Sequence, residues 1–221
     1  MAKKLIGALT IGQSPRPDLT TPLRQVLPDG FEVREAGALD GLSTADIPPT
    51  AGAAYPLTTQ LQDGSLVMVE ESFLLPRLQQ VLASLEANGA VASILLCAGT
   101  FAVLQAARPF FKPFAISRHV LNSLGLKSLG LIAPIPQQVA PIRQRWLAAG
   151  FVPSVWTANI SQQDKSFRQQ LAAQIEVHRL ECIVLDYVGH PAASVRQLQE
   201  ASPVPVIDLG QLAIRTLAAT L

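Results

Sequence analysis

Residues 91–100 read VASILLCAGT: an apolar run, 91–96, stops abruptly on a small polar turn, Cys97-Ala98-Gly99-Thr100. The run is continuous rather than alternating, which suits a strand covered on both faces, as in a parallel sheet. Working outward, the same grammar recurs at 5–11, 31–33, 66–69, 128–133, 152–156, 182–185 and 204–207. Segments with helical spacing lie between the runs, at 19–27, 72–87, 137–149, 164–179 and 194–200, and a last one covers 208–221. Strand followed by helix, repeated, predicts a doubly wound α/β protein with mostly parallel sheets.

Several boundaries have local causes. Asp18 is placed to cap a helix opening at Leu19, and Gly89 and Gly150 are placed to stop the helices before them. Pro76 fits only a first helical turn, where no N–H is missed, so its helix is expected to open near Phe73 or Leu74. The stretch 40–56, with Pro48 and Pro49 side by side, reads as an irregular excursion, and the proline-rich stretch 109–113 as the passage between two lobes. No internal repeat of fixed short period is visible.

Of 221 residues, 49% are hydrophobic and 15% charged, against roughly 25% charged in an ordinary soluble domain. Such a chain has ample core. Its 17 basic and 16 acidic residues leave a net charge of +1, too little surplus to neutralise a row of phosphates or to hold an anionic membrane surface. Nucleic-acid and membrane partners are therefore not expected. Two cysteines far apart, with no run of 18 apolar residues and no leader-like cleavage site after the N-terminal apolar stretch, fit a cytoplasmic protein. The thinly charged composition also points to a homo-oligomer.

In a parallel α/β sheet, ligands bind beyond the carboxyl ends of the strands. Four loops qualify: Gly12-Gln13-Ser14-Pro15-Arg16, Cys97-Ala98-Gly99-Thr100, Pro134-Ile135-Pro136-Gln137-Gln138 and Asp186-Tyr187-Val188-Gly189-His190. Cys97 stands at a strand-to-turn junction, with Gly99 and Thr100 expected to open a helix whose N–H groups favour a thiolate, a competent nucleophile or base. The other reading is a buried, inert thiol. Cys182, inside an apolar run, is read as packing. His190 precedes Pro191 and is held extended, either as a surface residue or as an acid or donor to a carboxylate. Tyr187 is a weak base near neutrality, so hydrogen bonding or packing is expected of it. Arg16 has the fork geometry for a carboxylate, or caps locally. His119 and His178 fall in helical text and are read as structural or exposed. No close Cys or His neighbours give a metal site, and no glycine-rich phosphate loop supports a nucleotide, so no cofactor and no metal are expected.

The segments LTIGQSPRPD (9–18), YPLTTQLQDGSLVMVEE (55–71) and LLCAGTF (95–101) resemble the AroM family along essentially the whole chain. Through LGLIAPIPQQ (129–138), VLDYVGHP (184–191) and VPVIDLGQLAIRTLA (204–218), the chain is similar in turn to the aspartate/glutamate/hydantoin racemase superfamily. The resemblance implies two similar Rossmann-like lobes around a central cleft, divided as 1–104 plus 205–221 and 105–204. It also implies cofactor-independent chemistry in which two cysteines face each other across the acidic carbon of a small carboxylate. Cys97 matches the first cysteine and Thr100 the neighbouring carboxylate contact, whereas Tyr187 takes the place of the second cysteine. Two-base racemisation needs an acid opposite the base, so the departure points to a one-cysteine isomerisation or decarboxylation, or to binding without turnover. Cys97, Tyr187 and His190 are then the candidate reactive groups. Gln13, Ser14, Arg16, Gly99, Thr100, Pro136, Gln137 and Gln138 are the candidate substrate contacts, with oxyanion donors around Gly99 and at 136–138.

Overall fold

The computed structural model describes residues 2–50 and 56–221. It consists of two compact units, Met1–Phe114 with Ala213–Leu221 and Ala115–Leu212. Unit 1 holds β1 (Lys4–Thr10), α1 (Pro17–Val26), β2 (Phe31–Gly37), β3 (Pro56–Gln60), β4 (Leu66–Glu70), α2 (Glu71–Ala87), β5 (Ala90–Leu95) and β6 (Phe110–Phe111). Helix α3 (Pro113–Ser123) opens in unit 1 and continues into unit 2, which holds β7 (Ser128–Ala133), α4 (Val139–Ala148), β8 (Val152–Thr157), α5 (Lys165–His178), β9 (Cys182–Leu185), α6 (Ala192–Ala201) and β10 (Val206–Asp208). Helix α7 (Leu209–Ala219) leads the chain back into unit 1. Because β6 pairs with β5 and β10 pairs with β9, both crossings fall later in the chain than positions 104 and 204.

Each unit is built on a parallel four-stranded sheet. The order is β2-β1-β5-β6 in unit 1 and β8-β7-β9-β10 in unit 2. The two orders are the same pattern: the first strand is central, the second lies on one side of it, and the third and fourth lie on the other. A repeat that is invisible in the residues is therefore plain in the topology. The crossover direction changes between β1 and β5, and again between β7 and β9, which are the places where such sheets bind ligands.

The cores follow from the apolar runs. In α2, Leu74, Leu78, Leu82 and Leu85 repeat at helical spacing and pack with Leu5, Leu9 and Leu95 beneath the unit 1 sheet. Each fully buried leucine contributes about 1.5–3 kcal/mol. That stripe explains why α2 opens at Glu71, before the expected Phe73 or Leu74, and tolerates Pro76 in its interior. In unit 2, Ile132, Ile183, Leu185 and Leu198 are all fully buried in one cluster.

Some local expectations are corrected. Helix α1 starts at Pro17, so Asp18 lies in its first turn, and no side chain caps it. Strand β3 went unread because Leu57 is its only buried apolar residue; it pairs antiparallel with β4, Leu57 opposite Val69. The excursion at 40–56 holds a single 3₁₀ turn at Thr44–Asp46, closed by Ser43 and Asp46 as a capping box, and its residues 51–55 lie outside the described residues. Among the described residues, no helix is long and apolar enough to cross a membrane.

Candidate active site

In unit 1, Leu96 continues past β5 by donating its N–H to the Leu9 carbonyl of β1 at 2.7 Å, and the chain then bends at Cys97 and Ala98. Cys97 is 9% exposed, and its sulfur accepts a hydrogen bond from the Gly99 N–H at 3.3 Å. The expected helix after Cys97 does not form, so the N–H groups of this loop reach the thiol without a helix behind them. The chain from 96 to 109 is irregular, because Phe101 is fully buried in the left-handed region at φ 37° with its ring against Gly99. A Cβ on Gly99 would come within 2.9 Å of Phe101 Cδ2, so only glycine fits the turn that presents its N–H to the sulfur. A non-glycine residue held in that conformation stores about 1 kcal/mol of strain or more, a feature that clusters at functional sites. Thr100 lies half-buried just beyond.

The loop after β1 borders the same switch point. Gln13 is buried, with its amide nitrogen donating to the carbonyls of Leu39 at 3.0 Å and Leu42 at 2.6 Å, while its oxygen accepts from the Gln62 N–H at 2.7 Å. Ser14 donates both its N–H (2.6 Å) and its hydroxyl (2.8 Å) to Asp40, which also accepts the Gly37 N–H at 2.8 Å. Arg16 closes its fork on Asp18, at 2.9 Å from Nε and 2.5 Å from Nη2, and that contact helps hold the Asp18 carboxyl below its usual range against burial. The guanidinium thus already holds a carboxylate, that of its own helix.

In unit 2, Pro136–Gln138 form a single 3₁₀ turn after β7, with Gln138 buried. At the end of β9, Asp186 is 1% exposed and lies 2.6 Å from Arg145 Nη2 through both oxygens, while the Trp146 indole N–H donates to Oδ2 at 2.8 Å. Burial pushes its carboxyl upward, opposed by the Arg145 charge. This pair ties α4 to the strand end. Tyr187 is half-buried, and its ring lies 3.6 Å, centroid to centroid, from that of His190. His190 is 5% exposed, neither ring nitrogen has a partner among the described residues, and burial pushes its pKa down to about 3. It is therefore an uncharged imidazole at neutrality.

Asp208, closing β10 beside Leu185 of β9, is 6% exposed and accepts the Gln211 N–H at 2.9 Å; burial raises it to about 6. Burial first, and the Asp208 charge second, raise the Tyr187 phenol. Asp208, and the pairing of the loop residue Asp186 with Arg145, escaped the sequence reading. Their signal was a carboxylate directly at the end of an apolar strand. Cys182, fully buried, is pushed up to about 12 and is inert, and His119 and His178 are exposed on α3 and α5.

The two units repeat at the level of single residues. Asp186 donates its N–H to Ile132 of β7 at 3.0 Å, as Leu96 does to Leu9, and the bends at Cys97-Ala98 recur at Tyr187-Val188. Counting from these bonds, Cys97 corresponds to Tyr187, Gly99 to Gly189 and Thr100 to His190. The equivalent addresses hold a thiol in one unit and a phenol tilted against an imidazole in the other.

The fold recurs in proteins of known structure. Solved structures that share it include allantoin racemase from Klebsiella pneumoniae (16% identity, 98% of this chain and 87% of that one covered, TM-score 0.65). Others are arylmalonate decarboxylase (13%, 98% and 91%, 0.63) and an aspartate racemase homologue from Pyrococcus horikoshii (14%, 100% and 99%, 0.61). Within that fold the chain belongs to the AroM family, whose model, described as AroM protein, matches residues 6–221. A comparison with curated protein sequences found no match.

Proposed function

We propose that this chain is a cofactor-independent enzyme that moves a proton at the carbon beside the carboxylate of a small molecule, with Cys97 as the group that carries the proton. One observation supports this above the others: the Cys97 sulfur, at the switch point of unit 1, accepts the Gly99 N–H at 3.3 Å, a contact that favours the thiolate. As a thiolate, Cys97 takes the proton from the carbon and leaves an enediolate; as a thiol, it returns a proton to an enediolate formed by loss of carbon dioxide. Backbone N–H groups near Gly99 are the donors for the developing oxyanion. Thr100, next along the Cys97 loop, serves as a carboxylate contact. The similarity in fold to racemases and a decarboxylase agrees with both directions of transfer.

Tyr187 occupies the unit 2 address equivalent to that of Cys97, where a two-thiol racemase would carry its second cysteine. A phenol raised by burial does not accept a proton near neutrality, so no second base stands at that address and the reaction relies on the Cys97 thiol. The test is to incubate the protein in deuterium oxide with a panel of 2-substituted malonates and 2-substituted carboxylates. Deuterium incorporation or carbon dioxide release is expected, lost in Cys97→Ser and Cys97→Ala. Turnover unchanged in both variants would overturn the assignment.

A further inference from the structure

The unit 2 sheet carries a pocket of about 420 Å³ beyond the carboxyl ends of β7, β8 and β9, lined by Pro134, Thr157, Ala158, Asn159 and Tyr187. Thr157 and Asn159 stood outside every earlier expectation. We propose that this pocket takes an uncharged polar group of a small molecule, one that both donates and accepts hydrogen bonds, such as a primary amide or a hydroxyl, and that it rejects a carboxylate in that place. The inference concerns unit 2 by itself and stands independently of the proposed function.

Three observations lead there. Among the described residues no cation lines the pocket, and Arg145, which reaches the neighbouring loop, is held 2.6 Å from both oxygens of Asp186. The lining instead offers neutral partners of both kinds. Asn159 accepts the Ser161 N–H at 3.0 Å through its oxygen, which leaves its NH₂ as the group to donate. Thr157 donates or accepts, and Tyr187 donates. An amide answers such a set, whereas a carboxylate answers the donors alone. The fixed charge behind the lining is negative: Asp208 acts on Tyr187, and the buried His190 against the Tyr187 ring is uncharged. A carboxylate would meet repulsion there with no compensating cation.

Tyr187 and Tyr55 are the only tyrosines, so Tyr55→Phe leaves Tyr187 as a single reporter in fluorotyrosine-labelled protein. Fluorine NMR of that protein is titrated at about pH 7.5 with succinamate and with succinate, which differ only in an amide for a carboxylate. Succinamate is expected to shift the Tyr187 resonance at a concentration about tenfold lower. Asn159→Lys, which places a cation on an exposed residue and leaves the core untouched, is expected to move the preference about tenfold toward succinate. Equal or tighter response to succinate, a preference unmoved by Asn159→Lys, or response to neither probe would each overturn the subsite. The label reads unit 2 without Cys97. Proton exchange that depends on Cys97, together with an unselective Tyr187, defeats the subsite alone; a selective Tyr187 without that exchange defeats the proposed function alone.

Discussion

Replacing His190 with Phe isolates a buried base that burial holds far below its ordinary range. Phenylalanine keeps a ring against Tyr187 and removes two buried nitrogens that have no partner among the described residues. Unsatisfied buried polar groups cost about 1–3 kcal/mol, so the variant should match or exceed the wild type in stability above neutrality. The pH dependence is sharper. His190 falls from 6.5 to about 3 on folding, so below pH 6.5 the unfolded chain binds a proton that the folded one refuses, and stability is lost at about 1.4 kcal/mol per pH unit. Asp208 rises from 3.8 to about 6, so over that window the folded chain keeps a proton that the unfolded one releases, with the opposite slope. From about pH 6 down to about pH 4 the two slopes cancel in the wild type. In His190→Phe the Asp208 slope stands alone, and the variant should gain on the wild type by about 3 kcal/mol over those two units. Urea unfolding followed by tryptophan fluorescence measures this cleanly, because Trp146 and Trp156 are the only tryptophans and both lie in unit 2. A difference between the two proteins that stays constant from pH 6.5 to pH 4 would refute the buried, neutral imidazole.

Two further substitutions test the supports of each loop. Gly99→Ala forces a methyl group against the Phe101 ring, and it should cost about 1–3 kcal/mol in thermal unfolding and change the rate at which iodoacetamide alkylates Cys97. Cys182, buried and pushed up to about 12, does not interfere with that assay. Arg145→Met leaves Asp186 charged, buried and without its ion partner, and should cost about 3–5 kcal/mol by urea unfolding; Arg145→Met with Asp186→Asn should recover at least half of it.

The architecture was legible because a parallel strand buried on both faces has to be written as an unbroken apolar run, and β1, β5, β7 and β9 all are. Strand β3 was not legible, since of its two inward residues, Leu57 and Thr59, only Leu57 is apolar. Helix α3 was missed because 113–123 follows directly on the proline-rich stretch read as a passage between lobes. Cys97 could be placed at a strand end from its neighbours alone. Its surroundings could not, since the left-handed Phe101 depends on burial of its ring, and a glycine-threonine pair after a strand reads equally well as a helix start. Gln13 and Arg16 show a related limit. Their residue types suit a carboxylate ligand, but only coordinates reveal that Leu39, Leu42, Gln62 and Asp18 already take up their polar atoms. Asp208 was within the quoted segment 204–218, yet its proximity to Tyr187 arises from the pairing of β10 with β9, a contact far apart in the chain.

Writing one strand order twice in a single polypeptide gives every loop a twin. A twin can change its chemistry without disturbing the frame that holds it, because the hydrogen bonds that set the bend, Leu96 to Leu9 and Asp186 to Ile132, run through the backbone and are indifferent to the next side chain. Cys97 and Tyr187 illustrate that freedom: the scaffold specifies a place, and the occupant of the place is chosen separately. Exchanging the two side chains, or installing the same one at both addresses, is thus a change of reagent within an unchanged vessel.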